Sequence, residues 1–288
     1  MSWPIPYAAR TIHLIGDTHF GGGISEFNPE RQAIVTKDVV SSISVPQVTH
    51  RIQLGDATNV ATSTEDAQAA AWLATLGGTM WRVIGNHDIW NVRDKAACAA
   101  AWGLASADYT ADLGYAKLIV VAPDSIEAGL VGLTYNTTTL NYLDAQLTSA
   151  TKPVIIGIHP PLRNTVGVGG TGQYISDNDF FAANPNTGIR AVLAAHPSVP
   201  IAWTSGHTHS PINAPFLVKA ETVGSRVVAA INASALAYCG TTREWTDQLC
   251  TLFLTVTDDA FVTRFRNHGA QQWVGGGPDG IRAWSVPF

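Results

Sequence analysis

A chain of 288 residues with 46% hydrophobic content and a formal net charge of -5 can fill a sizeable core, and it lacks the basic stripe that duplex DNA or RNA requires. Its longest apolar runs, such as Leu118 to Ala122, fall far short of the roughly 20 residues that span a bilayer, so no membrane partner is expected. Charged residues make up only 14%, which makes the placement of each one informative.

Met1-Ser2-Trp3-Pro4-Ile5-Pro6 lacks the basic and apolar regions of a secretory signal and leads into a first strand at Thr11 to Gly16, so a cytoplasmic location is expected. Asn28-Pro29-Glu30 supplies an N-cap and a first-turn proline for a helix through about Ser42. Val48 to Leu54 reads as the second strand. Thr62 and Glu65 have capping-box spacing for a helix through Leu76, and Thr79 to Ile84 reads as the third strand. A helix over about 92–102 follows. Strands are then expected at Tyr109 to Asp112, Tyr115 to Val121 and Gly129 to Tyr135, with a helix at Leu140 to Leu147 and a buried strand at Val154 to Ile158. A helix at Gly188 to Ala195 precedes a strand at Ile201 to Ser205, and Arg226 to Ala233, Cys250 to Val256 and Phe261 to Arg266 complete the set. Strands alternating with helices imply crossovers and parallel pairing. No internal repeat or linker divides the chain, so 1–288 reads as one domain with a core over about 11–266 and a tail over 267–288. The tail's apolar end, Trp284 to Phe288, could dock on the body or on a second subunit of a homo-oligomer.

Polar residues gather at five strand ends. Gly16-Asp17-Thr18-His19 follows the first strand, Gly55-Asp56 the second and Gly85-Asn86-His87-Asp88 the third. His159 follows Val154 to Ile158, and Gly206-His207-Thr208-His209 follows Ile201 to Ser205. Any one of these is weak, because a lone histidine at a strand end is usually a hydrogen-bonded residue at the core margin. Together they converge, because strand C-termini of an open parallel sheet form one ligand crevice. Carboxylates, an amide and several imidazoles, with no thiolate among them, suit Mn, Fe, Zn or Ni. So many donors exceed the needs of one ion. Two ions fit better, and such a pair can clamp the attacking and departing oxygens of a phosphoryl transfer.

Taken as a set, Asp17-x-His19, Gly55-Asp56, Gly85-Asn86-His87-Asp88, His159-Pro160-Pro161-Leu162 and Gly206-His207-x-His209 resemble the signature of the calcineurin-like binuclear metallophosphoesterases, from about Thr11 to Arg266. The resemblance implies a four-layer αββα sandwich of two mixed sheets flanked by helices. It implies that Asp17, His19 and His209 hold one metal ion, that Asn86, His159 and His207 hold a second, and that Asp56 bridges them. It also implies that His87 stands beside the leaving oxygen with Asp88 aiming its ring, and that hydroxide drawn from a metal-held water attacks phosphorus in line. Asn59 stands where purple acid phosphatases place a tyrosine, so no purple chromophore is expected, and no arginine follows Asp56 as in the protein phosphatases. The motif forms look most like the bacterial branch containing cyclic-nucleotide and broad-specificity phosphodiesterases. The expected activity is hydrolysis of a small phosphodiester, with cyclic nucleotides among the candidates. A phosphomonoesterase and a non-catalytic protein that kept the fold are the alternatives.

Asn59 and Arg163 are secondary candidates for touching substrate, against the plainer readings of a turn residue and a surface arginine. Gly167 to Gly172 reads as a loop or a lid. Trp90 reads as packing, with a base-binding wall as the alternative. His13, His50, His196 and His268 read as structural or solvated. Cys98 reads as a small core residue, and Cys239 and Cys250 as two reduced thiols rather than a bridge.

Overall fold

A computed structural model describes residues 9–21, 27–43, 45–90, 92–126, 133–162, 165–166, 183–210, 212, 217–237, 249–274 and 283–288. Arg163, Cys239, the glycine-rich stretches at 167–172 and 275–277, and most of the strand expected at Gly129 to Tyr135 lie outside these residues.

The first sheet is built on three parallel strands, β1 (Thr11–Ile15), β2 (His50–Gln53) and β3 (Thr79–Arg82). The second is built on four, β5 (Lys117–Val121), β8 (Val154–Ile158), β9 (Ile201–Ser205) and β11 (Arg226–Asn232). Antiparallel strands complete both. β12 (Cys250–Val256) pairs with β1, and β13 (Ala260–Asn267) follows it, carrying β14 (Gln272–Trp273) and β15 (Ala283–Pro287) on its far side. β4 (Tyr109–Asp112) and β10 (Val218–Val223) form the edges of the second sheet. A short pair, β6 (Ser125–Ile126) and β7 (Leu133–Thr134), stands apart.

Alternation along the strands decides what each sheet face touches. Ile12 and Leu14 of β1, Ile52 of β2, Leu118 and Val120 of β5 and Ile155 of β8 share one buried cluster between the sheets. The intervening Ile119 and Val121 of β5 and Ile156 and Ile158 of β8 point the other way. There they meet Leu143 and Leu147 of α5 (Thr137–Thr148), and Ile189 and Leu193 of α6 (Ala183–Ala194). On the outer side of the first sheet, Val35 and Val39 of α1 (Pro29–Ser41) pack with Ala69, Trp72 and Leu73 of α2 (Ser63–Thr75). The result is four layers, helix, sheet, sheet, helix, with both sheets mixed.

Local signals set the helix starts. The Asn28 side chain accepts the Arg31 amide to open α1, and Thr62 and Glu65 close a reciprocal capping box at α2. The helix expected from 92 instead begins at Lys95 as α4 (Lys95–Ala101), because Asp94 caps it by accepting the Ala97 amide. A separate single turn, α3 (Asn86–Ile89), occupies the third motif itself. The terminal segment is no loose tail: β15 adds Ala283 to Pro287 to the first sheet. No helix among the described residues is long and apolar enough to cross a membrane.

Candidate metal centre

Strand register brings the five motifs to one edge. Ile15, Gln53 and Arg82 are aligned across β1, β2 and β3, so the loops bearing Asp17, Asp56 and Asn86 leave the first sheet side by side. Gly157, Thr204 and Ile231 are aligned across β8, β9 and β11, which does the same for His159 and for His207 with His209.

Two groups of donors result. Ligand atoms of Asp17, His19, Asp56 and His209 lie within 4.8 Å of one another, and so do those of Asp56, His159 and His207. Asp56 belongs to both. The Nε2 atoms of His19 and His209 are 3.0 Å apart, as are His159 Nε2 and His207 Nδ1. Asp56 Oδ2 stands 3.1 Å from His159 Nε2 and 3.6 Å from His19 Nε2, and Asp17 Oδ1 is 3.4 Å from His209 Nε2. Donors about 2.1 Å from a shared cation are spaced about 3.0 Å along an octahedral edge and about 3.4 Å along a tetrahedral one. Four of these five spacings fall in that range, and the Asp56–His19 spacing of 3.6 Å lies just above it. Mixed oxygen and nitrogen donors, buried and convergent in two groups that share Asp56, therefore fit a metal site.

Tautomers sharpen the fit. His159 Nδ1 donates to the Leu54 carbonyl at 2.7 Å, so in a neutral ring Nε2 carries a lone pair that confronts the Asp56 carboxylate. Two lone pairs at that distance need a cation or a proton between them. Without a metal the proton goes to His159: burial acts against the charged ring, but Asp56 and Asp17 outweigh it and push it up to about 9. Burial opposes charge on Asp56 as well, yet His159 and the other imidazoles hold its carboxyl well below the usual carboxylate range. Burial, assisted by neighbouring rings, keeps His19 and His207 well below the usual imidazole range. Neutral rings are the form that binds metal.

The backbone is strained where the donors sit. His19, Asp56, His207 and His209 have φ values of 45°, 52°, 71° and 47°, in the left-handed region that non-glycine residues seldom occupy. Close approach also requires glycine beside them. A Cβ on Gly85 would overlap the carboxylate and amide of Asp56, and one on Gly206 would overlap the Asp17 carboxylate.

Hydrogen bonds from the chain hold this geometry. The Asp17 carboxylate accepts the His207 amide at 2.9 Å, and the Asp17 carbonyl accepts the Leu236 and Ala237 amides. The Asp56 carbonyl accepts the amides of Thr18 and His19, and its Oδ1 accepts the His87 amide at 2.8 Å. Asn86 opens α3, buried, next to that amide.

His87 and Asp88 do not form the dyad expected of them. His87, half-buried, donates from Nδ1 to the Asn59 carbonyl at 2.7 Å. Asp88 is fully buried and accepts the Gly85 amide and both the amide and hydroxyl of Thr58. Asp88 therefore ties the second and third loops together, and a backbone carbonyl aims the imidazole. Burial and the nearby Asp56 push the Asp88 carboxyl up to about 6. Asn59 contributes through its main chain, itself fixed by donation of its amide to the Phe20 carbonyl.

A sixth polar strand end escaped the sequence reading. At the end of β11, Asn232 donates to the Gly206 carbonyl at 2.6 Å, and just beyond it Ser234 donates to the Ser210 carbonyl at 2.6 Å, bracing the loop that carries His207 and His209. Asn232 and Ser234 follow an apolar strand in the same way as the five motifs, and that signal was available. Cys98 is buried in the cluster beneath α3 and α4, as expected of a small core residue.

No protein-family model matches the chain, and no curated protein matches it in sequence. Among solved structures it is similar to a purple acid phosphatase isolated from yellow lupin (Lupinus luteus) seeds, with a TM-score of 0.63 and 13% identity, over 96% of this chain and 53% of that one. It also matches a conserved uncharacterized protein, a predicted phosphoesterase, from Streptococcus pneumoniae, with a TM-score of 0.40 and 14% identity over 96% and 98% of the two chains. A third match is Vacuolar Protein Sorting 29 from Cryptosporidium parvum, at 0.43 and 10% over 96% and 97%. The lupin likeness establishes the metallophosphoesterase fold, and the chain spans about half of that phosphatase's length.

Proposed function

We propose that the protein is a binuclear metal-dependent phosphoesterase acting on small phosphodiesters, cyclic nucleotides included. The observation that carries this reading is the pair of buried donor groups sharing Asp56, with imidazole nitrogens facing each other at 3.0 Å in both. Asp17, His19 and His209 would hold one ion, Asn86, His159 and His207 the other, with Asp56 between them. Manganese, iron, zinc and nickel suit such donors. Bound there, the pair would supply Lewis acidity toward phosphoryl oxygens and lower the pKa of water.

The chain's own contribution is geometry and a proton. With His87 Nδ1–H committed to the Asn59 carbonyl, Nε2 is the nitrogen that, when the ring is protonated, can give its proton to the departing oxygen and leave the neutral Nδ1–H ring behind. Asp56 Oδ1 holds the His87 amide while Oδ2 faces the histidines, so one carboxylate couples the leaving-group residue to the donor cluster. A net charge of -5 favours a small substrate over a nucleic acid.

A phosphomonoesterase is the second reading, favoured by the structural likeness to the lupin phosphatase. Hydrolysis of matched aryl phosphodiesters and phosphomonoesters by manganese-loaded protein separates the two. Turnover of the diesters, lost in Asn86→Ala and His87→Ala, is the expected result. Inertness toward every ester at saturating metal would overturn both readings and leave a non-catalytic protein.

A further inference from the structure

We infer that Trp90 is a positioning residue for His87, an assignment that rests on the phosphoesterase reading. The indole and the imidazole stack with ring centroids 4.1 Å apart and planes 21° from parallel. The imidazole also makes an edge contact with the ring of His19, at 4.5 Å and 76°. The Asn59 carbonyl holds Nδ1. One bond fixes the direction of a ring but leaves it free to rotate about that bond, and the two ring contacts remove that freedom. Nε2 is thereby held at one place relative to the donor cluster.

The backbone at Trp90 supports the same role. Its φ of 21° and ψ of 50° are an outlier for a bulky residue, and its amide closes the α3 turn on the Asn86 carbonyl at 2.8 Å. Such strain persists where the surroundings over-determine it, and it concentrates at functional sites. A tryptophan that serves general packing would sit in an apolar cluster. Trp90, half-buried, joins none of those formed by the described residues, while Ile89 beside it does. The indole face is spent on the imidazole.

A residue that aims a general acid matters most when the leaving group is poor. Trp90→Ala should lower kcat by about 10- to 100-fold for alkyl phosphodiesters, short of the full general-acid contribution, and by less than about 3-fold for p-nitrophenyl esters. KM and zinc affinity by titration calorimetry should stay unchanged. Trp90→Phe should restore most of the loss, and Trp90→Ala added to His87→Ala should cost nothing further. Equal losses across leaving groups, or weakened zinc binding, would overturn the assignment. A readout independent of turnover comes from NMR of 15N-histidine-labelled, metal-free protein. His87 should show the Nδ1–H tautomer and carbon-bound ring protons shifted by the indole, and Trp90→Ala should abolish that ring-current shift. If the shift survives, the positioning role is wrong even in an active enzyme. If the shift is lost but no ester is hydrolysed by the wild type, the stack is upheld and the phosphoesterase reading fails.

Discussion

The molecule buries histidine and aspartate in two places, and only one of them resembles a metal site. On the outer face of the first sheet, Arg51 donates to His13 Nδ1 at 2.8 Å, His13 Nε2 meets the Thr251 hydroxyl at 2.6 Å, and that hydroxyl meets His268 Nε2 at 2.7 Å. His268 Nδ1 then donates to Asp38 at 2.8 Å, and Asp38 also receives two bonds from Arg266. Donors and acceptors alternate in one direction, so both rings are neutral and every ring nitrogen in the chain is used. None of the six residues has a positive φ. At the strand ends the reverse holds. Imidazole nitrogens and carboxylate oxygens crowd onto one another with no hydroxyl between them, and four donor residues are held in left-handed backbone. Burial of imidazoles does not make a metal site. Convergence of donor atoms from separate loops on one point does.

Substitutions should dissociate the two regions. Asp56→Ala, at the shared carboxylate, should lower hydrolysis by roughly a thousand-fold or more, about 4 kcal/mol in the barrier, in protein that still folds. Asp38→Ala should do the opposite. Leaving Arg266 and His268 buried without their carboxylate should cost about 3–5 kcal/mol, read as a fall in the urea midpoint, while kcat per folded molecule is unchanged. Were Asp38→Ala to abolish turnover in folded protein, the separation drawn between the regions would collapse.

Gly85→Ala is a subtler probe, because the added methyl group competes for the space of the Asp56 carboxylate. Metal affinity, measured against a competing chelator, should drop by about 10- to 100-fold, as for a disturbed ligand support.

Acid should find the network through linkage. Burial, with Arg51 and His268 nearby, holds His13 well below the usual imidazole range, and burial lowers His268 as well despite Asp38. The unfolded chain protonates both near 6.5, so below that pH it binds more protons than the folded chain. Stability should therefore be fully present above about 6.5 and fall as pH drops, by up to about 1.4 kcal/mol per pH unit for each ring. Asp38 behaves likewise at lower pH. Although burial opposes its charge, Arg266 and His268 hold its carboxyl at about 2. Its contribution should be lost as pH falls from about 4 to about 2. Replacing His268 by glutamine, which can accept from Thr251 and donate to Asp38 without titrating, should flatten the slope between pH 6.5 and 4.5. An unchanged slope would show that His268 is not the group responsible.

Much of the centre was legible in the sequence, because each motif follows an apolar strand and a crossover topology sends strand ends to one edge. Asp17, His19, Asp56, His159, His207 and His209 meet for that reason. The partner of Asp88 was not legible: Thr58 lies thirty residues away, and nothing local says that a carboxylate following a histidine turns from it. Strands β6, β10, β14 and β15 were also missed. β10 exposes Ala220 and Thr222 in alternation with half-buried Lys219 and Glu221 on a sheet edge, and β15 gains its conformation by pairing with β13 rather than from its own propensity. The chain through Arg51, His13, Thr251, His268, Asp38 and Arg266 draws on five elements, and no window of sequence contains it.

Metal content tests the central claim most directly. Elemental analysis of protein saturated with manganese or zinc and then freed of excess ion should find two ions per chain, with both sites weakened in Asp56→Ala and neither in Asp38→Ala. A chain that retains no stoichiometric metal under those conditions would contradict the account.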